Sequence, residues 1–220
     1  MDEEWISQVE LRIMSSSLLS LYGFDQEKIH VTGFGNGLIN RTWKVHVEGK
    51  DYILQRINEK VFKEPEKIAR NHRLLADHLK LQHPGYHFVE PLSTTDGREL
   101  VYWKSEGYYR LFPFVEGSHS KDVAETEQHA YEAARQFGRF TRLLSDLDSA
   151  VIHSSIPSFH DLTLRFNQFG QSLKEGDSNR IQQCADLIRK ALDYQYIADQ
   201  YARIKNDPAF PLRIMHHDTK

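Results

Sequence analysis

The sequence has few of the features that mark secreted proteins or membrane proteins. Among its 220 residues there is one cysteine, Cys184, so no disulfide can form within the chain, which is typical of a reducing cytosol. The first residues, Met1–Trp5, are acidic, whereas a secretion signal begins with basic residues followed by apolar ones. No apolar run approaches the roughly 20 residues that a membrane span needs. These absences predict a cytoplasmic protein.

The sequence also lacks a concentration of charge of one sign. The formal net charge is −3, and Lys and Arg form no basic block of the kind that nucleic-acid-binding proteins carry. The hydrophobic residues make up 40% of the chain, which is ordinary for a globular protein that buries a core. We therefore expect partners that are small molecules rather than nucleic acids or membranes, while the oligomeric state stays open.

The first half of the chain predicts an antiparallel sheet with inserted helices. Trp43, Val45 and Val47 alternate with polar residues, and Glu48–Asp51 is a turn signal between two strands. A first helix is predicted over Glu3–Leu21. The other predicted elements are a helix over Pro65–Leu81 and strands at Lys28–Thr32, Thr42–Val47, Tyr52–Ile57, His87–Leu92, Leu100–Lys104 and Tyr108–Phe112.

The second half predicts helices. An amphipathic pattern covers Glu125–Leu147, a shorter helix is predicted over Phe159–Leu173, and a long helix over Asn179–Lys205 with Asp177 or Ser178 as its cap. The segment Val115–Lys121 separates the two halves. The predicted fold class is α+β, with one lobe at residues 1–116 and a second, helical and incomplete lobe at residues 117–220.

A glycine-rich loop follows the first predicted strand. Gly33, Gly35 and Gly37 permit backbone conformations that other residues avoid, so the loop can fold over a triphosphate and offer backbone N–H donors to its oxygens. No helix follows the loop, which makes a dinucleotide site of the Rossmann type a poor fit. A glycine-rich hairpin without a ligand is an equally good interpretation of this segment alone.

Two further segments fit the same nucleotide site. Arg56 shares a strand face with Leu54, and in a kinase-type sheet that pair would place an apolar residue at the adenine and a cation at the phosphates. The stretch Tyr108–Gly117 is an apolar strand broken by Pro113, as in a hinge whose free backbone groups bind adenine. The alternatives are an exposed arginine on a strand and an ordinary buried edge strand.

The chain ends on a short apolar strand signal followed by His216, His217 and Asp218. An aspartate in this position can orient an attacking hydroxyl or accept its proton. The two histidines could instead suggest a metal, but adjacent residues rarely point at one ion, and no other His/Glu pair has a zinc-like spacing. We therefore assign no metal ligands among these 220 residues.

The order of these signals is that of kinases, and four sequence blocks resemble one superfamily in particular. The sequence is similar to the aminoglycoside phosphotransferase and choline kinase superfamily, and within it to the N-acetylhexosamine 1-kinase-like sugar kinases. The resemblance rests on blocks near both ends of the chain: Thr32–Asn40, Tyr52–Asn58, Val61–Glu66 and His216–Lys220. It implies a protein-kinase-like bilobal fold that uses ATP with Mg²⁺.

The resemblance also implies roles for single residues. Asp218 would be the catalytic base, and Arg56 would contact the nucleotide phosphates. The other implied nucleotide contacts are Gly33, Gly35, Asn36, Gly37, Asn40, Phe112 and Phe114. The segment Phe159–Arg165 resembles a family segment near the acceptor pocket, which makes His160, Asp161 and Arg165 candidate acceptor contacts. The alternative for these three is a helix start with Asp161 as its cap and Arg165 at the surface.

Two departures from the kinase pattern bear on activity. The phosphate-binding cation usually pairs with a glutamate on the next helix; Glu66 is the nearest candidate, while Arg70 stands where a carboxylate is expected. The metal-binding residues of the pattern would lie beyond Lys220, so we expect little turnover from these 220 residues alone. Three functions stay open: a sugar 1-kinase, an aminoglycoside or choline-type kinase, and an inactive nucleotide-binding module.

Overall fold

The computed structural model describes residues 17–25, 28–35, 39–103, 106–119 and 121–217. Within these ranges, five strands form one antiparallel sheet in the order β1-β2-β3-β5-β4. The strands are β1 (His30–Gly33), β2 (Arg41–Val47), β3 (Lys50–Arg56), β4 (Val101–Trp103) and β5 (Gly107–Pro113). The predicted first helix lies mostly outside the described residues.

The helices of the described chain fall before and after the last strands of the sheet. They are α1 (Pro65–Gln82), α2 (Glu127–Leu143), α3 (Leu162–Glu175), α4 (Ser178–Gln183), α5 (Ala185–Asp193) and α6 (Gln195–Lys205). None of the helices in these ranges combines the length and the apolar character that crossing a bilayer requires. The predicted α+β class is confirmed.

The hairpin between β2 and β3 sets the register of the sheet. Glu48 and Gly49 both have positive φ angles, 53° and 75°, which is the backbone geometry of a two-residue type I′ turn. Asp51 follows this turn and accepts from Lys44 Nζ and His46 Nδ1, each at 2.7 Å. These contacts fasten the closed end of the hairpin and align Lys44 opposite Ile53.

One face of the sheet packs against the segment that precedes it. Leu18, Leu19 and Ile29 are buried against the side chains that β2, β3 and β5 direct to that face: Trp43, Val45, Val47, Leu54, Tyr109 and Leu111. A second core joins α1 and α2 through Leu79 and Leu144, with Ile214 buried beside them. The sheet therefore has one fully packed face and one face on which other groups can lie.

Two sequence-based predictions of secondary structure were wrong. Residues His87–Leu92 form no regular strand; Leu92 N donates to Leu111 O at 2.7 Å, but Pro91 has no N–H with which to continue a ladder. The helix predicted over Asn179–Lys205 is three helices, interrupted at Cys184 and Tyr194, where ψ is 11°. Asp177 caps the first of them, as predicted, by accepting from Arg180 N at 2.9 Å.

The chain divides into two compact units. The first contains the residues up to Ser155 together with those from Ile214 onward, and the second is Ile156–Arg213. The sheet, α1 and α2 belong to the first unit, and α3 to α6 belong to the second. The predicted lobe boundary between residues 116 and 117 stays a prediction.

Candidate functional site

A cavity of about 630 Å³ lies in the first unit, on the face of the sheet opposite the packed core. Its lining is mostly apolar and comes from the glycine loop, β3, the segment before β4, and β5 with the residues after it. The lining residues are Phe34, Ile53, Val89, Phe112, Pro113, Phe114, Val115, Ser118 and His119. An apolar cavity with a few polar groups at its rim is the usual form of a small-molecule site.

The register of the sheet explains why these side chains meet. Lys44 pairs with Ile53, and Ile53 pairs with Phe112, so the three side chains point to the same face. Phe114 continues from β5, where Lys44 Nζ lies 4.2 Å from the centre of its ring. Phe34, from the glycine loop, meets Phe114 edge to face with ring centres 5.9 Å apart. The loop and the predicted hinge therefore close over one cavity.

The glycine loop has room for a ligand along its backbone. Gly35 has a φ of 76°, which favours glycine, and a Cβ built at Gly33 or Gly35 would meet no atom of the described residues within 4 Å. Phe34 N donates to Thr42 O at 3.0 Å and holds the start of the loop on β2. Asn36 and Gly37, the other predicted loop contacts, lie outside the described residues.

Asn40, a further predicted nucleotide contact, fastens the end of the loop. Its side-chain oxygen accepts from Asn58 N at 3.0 Å, while Asn58 Nδ2 donates to Ile39 O at 3.1 Å. The pair ties the end of the loop to the residues that follow β3. The structure thus gives Asn40 a positioning role.

The predicted hinge has a free donor at the rim of the cavity. Phe114 N donates to Asp51 O at 3.0 Å, which ends the pairing of β5 with β3. The Val115 carbonyl accepts from Ser118 N at 3.1 Å in a turn. Across the ranges that the structure covers, the Val115 N–H takes part in no hydrogen bond. It is available to an acceptor atom of a ligand.

A half-buried arginine shares the cavity face of the sheet. Arg110 pairs with Gln55 across β5 and β3 and donates to Gln55 Oε1 from Nε at 3.0 Å and from Nη2 at 2.7 Å. Its guanidinium also lies 5.0 Å from the centre of the Phe112 ring. Burial lowers the pKa of Arg110 to about 10, so the group stays protonated at neutral pH. Within the described residues it has no carboxylate partner, which makes it a half-buried cation suited to a bound anion.

Arg56 lies on the other face of the sheet. It pairs with Arg41 and Tyr109, and it shares the face of Leu54, which is fully buried in the core. Leu54 and Arg56 do share a face, but the cavity lies on the face of Ile53 and Gln55. The sequence does contain a signal for the face on which the cavity lies. Once the three strands are aligned, the polar residues Thr42, Gln55 and Arg110 form a row across that face.

The glutamate expected to pair with Arg56 has another partner. Glu66, on the first turn of α1, accepts from the Tyr108 hydroxyl, and Arg70 contacts His153. Asn71 nearby binds the backbone of His153 with both ends of its amide, at 2.6 and 2.9 Å. Among the described residues no carboxylate of α1 contacts Arg56, so the lysine–glutamate pair of protein kinases has no direct counterpart here.

His72 is a half-buried histidine of α1 beside the cavity residues. Its ring centre is 4.8 Å from that of Phe88 and 5.8 Å from that of Phe112. Burial, reinforced by the charges of Arg110 and Arg73, lowers its pKa to about 4. Its Nδ1 is buried without a hydrogen-bond partner in the described part of the chain. His72 is therefore neutral in the folded protein at pH values where an ordinary histidine takes up a proton.

This difference predicts a loss of stability in mild acid. Between about pH 6.5 and pH 4 the unfolded chain binds a proton at His72 that the folded chain does not, so the free energy of unfolding falls as the pH falls through this window. We expect the His72→Phe variant to lose about 1–2 kcal/mol less than the original chain between pH 7.5 and pH 5.0, after allowance for partial solvent screening. Urea denaturation at both pH values measures this difference.

The matched control for His72 is the exposed His87. The His87→Gln variant replaces an exposed histidine and should keep the pH dependence of stability of the original chain. Equal pH dependence in the original chain and in His72→Phe would contradict the assignment.

The predicted acceptor residues lie in the second unit and have partners there. Asp161 caps α3 by accepting from Leu164 N at 3.0 Å, and it pairs with Lys205 Nζ at 2.8 Å. The hydrogen bond from Lys205 lowers the pKa of the Asp161 carboxyl. Arg165 is exposed and donates to Phe159 O at 3.3 Å and to Gln168 Oε1 at 2.9 Å. His160 lies edge-on to Phe159, with ring centres 4.8 Å apart.

The predicted catalytic base, Asp218, lies outside the described residues. The residues just before it belong to the first unit: Ile214 is buried in the second core, and the His216 ring lies 5.5 Å from that of Phe137 and 6.5 Å from that of Phe140. The segment that leads to Asp218 is thus packed against α2.

Comparison with known proteins gives the family. Residues 30–220 match the family model described as the phosphotransferase enzyme family, APH, which covers most of the chain. The chain therefore belongs to the phosphotransferase enzyme family.

Solved structures share the fold at low sequence identity. Spectinomycin phosphotransferase, APH(9)-Ia, in complex with ADP and spectinomycin matches with a TM-score of 0.53 and 14% identity over 87% of this chain and 58% of that one. An aminoglycoside phosphotransferase from Alicyclobacillus acidocaldarius matches with a TM-score of 0.55 and 15% identity, over 86% of this chain and 52% of that one. An AMP-bound complex of APH(9)-Ia matches with a TM-score of 0.51 and 13% identity over 90% and 59%.

These matches confirm the predicted kinase-like α+β fold. The chain spans between 52% and 59% of the length of these structures.

Proposed function

We propose that this chain is the nucleotide-binding part of an ATP-dependent phosphotransferase that acts on a hydroxyl group of a small molecule. The observation that carries the proposal is the apolar cavity between the glycine loop and the predicted hinge, with Arg110 on the same face of the sheet. Family membership supports a phosphotransferase, and the ADP and AMP complexes of the matching structures are consistent with ATP.

In this proposal the adenine ring fills the apolar cavity. Ile53, Phe112 and Phe34 surround the ring, and the Val115 N–H donates to one of its nitrogens. The volume of about 630 Å³ falls within the range of roughly 300–1,000 Å³ that is typical of small-molecule sites. Phe112 and Phe114 then act as predicted from the sequence, as residues of the nucleotide site.

The triphosphate would extend along the sheet toward the glycine loop. Gly33 and Gly35 leave open space for close approach of phosphate oxygens to the backbone. Arg110 lies two residues from Phe112 on β5 and supplies a positive charge on this face, whereas Lys44, the other cation described on this face, pairs with Asp51. We therefore assign to Arg110 the phosphate-neutralising role first predicted for Arg56.

Magnesium is implied by the family, but the lining of the cavity does not fit a magnesium site. Mg²⁺ takes carboxylate and other oxygen ligands. Among the described residues the lining of the cavity includes no carboxylate. The ligands remain predicted beyond Lys220, and no step through the metal is derived from this chain.

The acceptor side of the reaction rests on the resemblance in sequence. Asp218 would accept the proton of the acceptor hydroxyl, and His160, Asp161 and Arg165 would contact the acceptor. Asp161 would then have to contact the acceptor while it also accepts from Leu164 N as the cap of α3 and forms an ion pair with Lys205. The lobe division at residues 116 and 117 belongs to the same proposal.

The acceptor we propose first is the anomeric hydroxyl of an N-acetylhexosamine or a related sugar, which the four matching sequence blocks support. The alternative is an aminoglycoside or choline-type acceptor, and the matching structures include aminoglycoside phosphotransferases.

Phosphoryl transfer from labelled ATP to a panel of acceptors tests the function. The panel contains N-acetylhexosamines, spectinomycin, other aminoglycosides and choline, and each is tested with the 220-residue chain and with the polypeptide that continues in frame after Lys220. We expect transfer to one acceptor class by the longer polypeptide and loss of transfer in its Asp218→Asn variant. Binding of ATP without transfer to any acceptor would favour an inactive nucleotide-binding module instead.

A further inference from the structure

A cluster of metal-ligating side chains lies away from the nucleotide cavity, where the ends of α1 and α2 meet. His78 is on the last turns of α1, His83 follows the end of that helix, and Asp146 follows α2. One ligand atom from each of these three residues lies within 4.8 Å of the other two. The cluster is absent from the sequence-based predictions because Asp146 is more than 60 residues from the histidines.

The geometry of the cluster is close to that of a metal centre. His78 Nε2 lies 3.2 Å from Asp146 Oδ1, and the His78 ring centre lies 6.1 Å from that of His83. Ligand atoms bound to one tetrahedral zinc ion at 2.0–2.1 Å are about 3.4 Å apart. A small movement of the half-buried His83 ring therefore brings all three ligand atoms to an ion.

The ligand types select the class of metal. Two imidazoles with one carboxylate suit zinc and neighbouring transition metals, whereas Mg²⁺ prefers oxygen ligands only. His83 and Asp146 also line a cavity of about 810 Å³, so a fourth coordination position can be open to water or a small anion. Arg135, Arg139 and Arg142 line the same cavity. Their positive charges oppose a metal ion nearby, so the fourth position should be taken by an anion, whose charge adds to that of Asp146 in offsetting this repulsion.

The surroundings of His78 fix it in place. Its side chain is 12% exposed, and its Nε2 also lies 3.2 Å from the Leu143 carbonyl at the end of α2. Leu79 follows His78 in the sequence and Leu144 follows Leu143, and these two leucines are buried together in the second core. His78 therefore stands at the junction between the two helices, and a metal ion at its Nε2 would have to replace the proton that this nitrogen shares with the Leu143 carbonyl.

We propose that His78, His83 and Asp146 form a binding site for a divalent transition metal of the zinc class, which joins the end of α1 to the end of α2. The site is separate from the residues assigned to the nucleotide, and the proposal does not depend on the proposed function. The competing interpretation is a metal-free junction in which His78 only caps the Leu143 carbonyl.

The test measures metal binding by the 220-residue chain after any histidine tag is removed. Zn²⁺ is titrated by calorimetry, and Co²⁺ is used as a probe whose visible absorption reports a four-coordinate site with nitrogen ligands. We expect one ion per chain, a rise in melting temperature with Zn²⁺, and a Zn²⁺ affinity that falls by about 100-fold or more in His83→Gln and in Asp146→Asn.

The control variant is His87→Gln, which removes an exposed histidine outside the cluster and should leave Zn²⁺ affinity unchanged. His83→Gln is preferred to a change at His78, because it leaves the contact between His78 and the Leu143 carbonyl in place. Absence of saturable binding, or equal affinity in the original chain and both ligand variants, would overturn the proposal and leave the cap interpretation.

Discussion

Replacing Arg110 by methionine should lower the affinity of the chain for ATP by about 10- to 100-fold, whereas Arg56→Met should change it by less than about 3-fold. The range follows from the roughly 1.5–3 kcal/mol that a hydrogen bond to a charged group contributes. Arg110 lies on the cavity face beside Gln55 and Phe112, and Arg56 lies on the opposite face beside Tyr109. Calorimetric titration of ATP into each variant measures the difference.

The stability of the same variants separates binding from folding. Arg110 is a half-buried cation whose described partners are a neutral amide and an aromatic ring, so its partial desolvation is unfavourable in the absence of ligand. An apolar side chain of similar length removes this cost, and we expect Arg110→Met to leave the free energy of unfolding unchanged or to raise it. If Arg110→Met bound ATP weakly because it was unfolded, its free energy of unfolding would instead be lower than that of the original chain.

Two results would contradict the role of Arg110. One is an ATP affinity that Arg110→Met leaves intact. The other is a loss of affinity in Arg56→Met as large as that in Arg110→Met, because only one of these side chains lies on the face of the cavity.

Substitutions at two adjacent residues of β3 should have different effects: one should mainly lower the free energy of unfolding, and the other should mainly weaken ATP binding. Leu54 is fully buried in the core, and Leu54→Ala should lower the free energy of unfolding by about 2–5 kcal/mol. Ile53 lines the cavity on the other face, so Ile53→Ala should cost less stability and should weaken ATP binding by roughly 10-fold through lost apolar contact. Urea denaturation and ATP titration of both variants give the comparison.

The control for this pair is Leu81→Ala, since Leu81 is 77% exposed and should change neither quantity appreciably. The account requires that folded Leu54→Ala bind ATP as the original chain does. Weak binding by Leu54→Ala together with normal binding by Ile53→Ala would show that the nucleotide face of the sheet is the other one.

The sequence was sufficient to predict the strand at Tyr52–Ile57, but not which of its two faces packs against the core. Alternation in Tyr52–Ile57 shows which side chains share a face, and it predicts equally well that either face is the packed one. The choice depends on Leu18, Leu19 and Ile29, which pack on the face of Leu54 from distant positions in the sequence. The sequence-based prediction places the phosphate-binding cation at Arg56, on the packed face, whereas our proposal places it at Arg110, the partner of Gln55 on the cavity face.

The sequence was sufficient to predict features that depend only on residues close together in the chain. The start of α1 at Pro65, the cap at Asp177 and the hairpin at Glu48–Gly49 each follow from the residues at that point. The interruptions at Cys184 and Tyr194 carry no proline or glycine that would announce them. The cluster of His78, His83 and Asp146 depends on the packing of α1 against α2 and could be seen only in three dimensions.

The most direct test of the central claim is an NMR titration of ATP into the isotope-labelled 220-residue chain. The account predicts saturable chemical-shift changes concentrated at the amides of Phe34, Ile53 and Val115, with ADP competing for the same site. Residues of the packed face, such as Val45, should change little. Absence of saturable changes, or changes confined to residues away from the cavity, would contradict the assignment of this face as a nucleotide site.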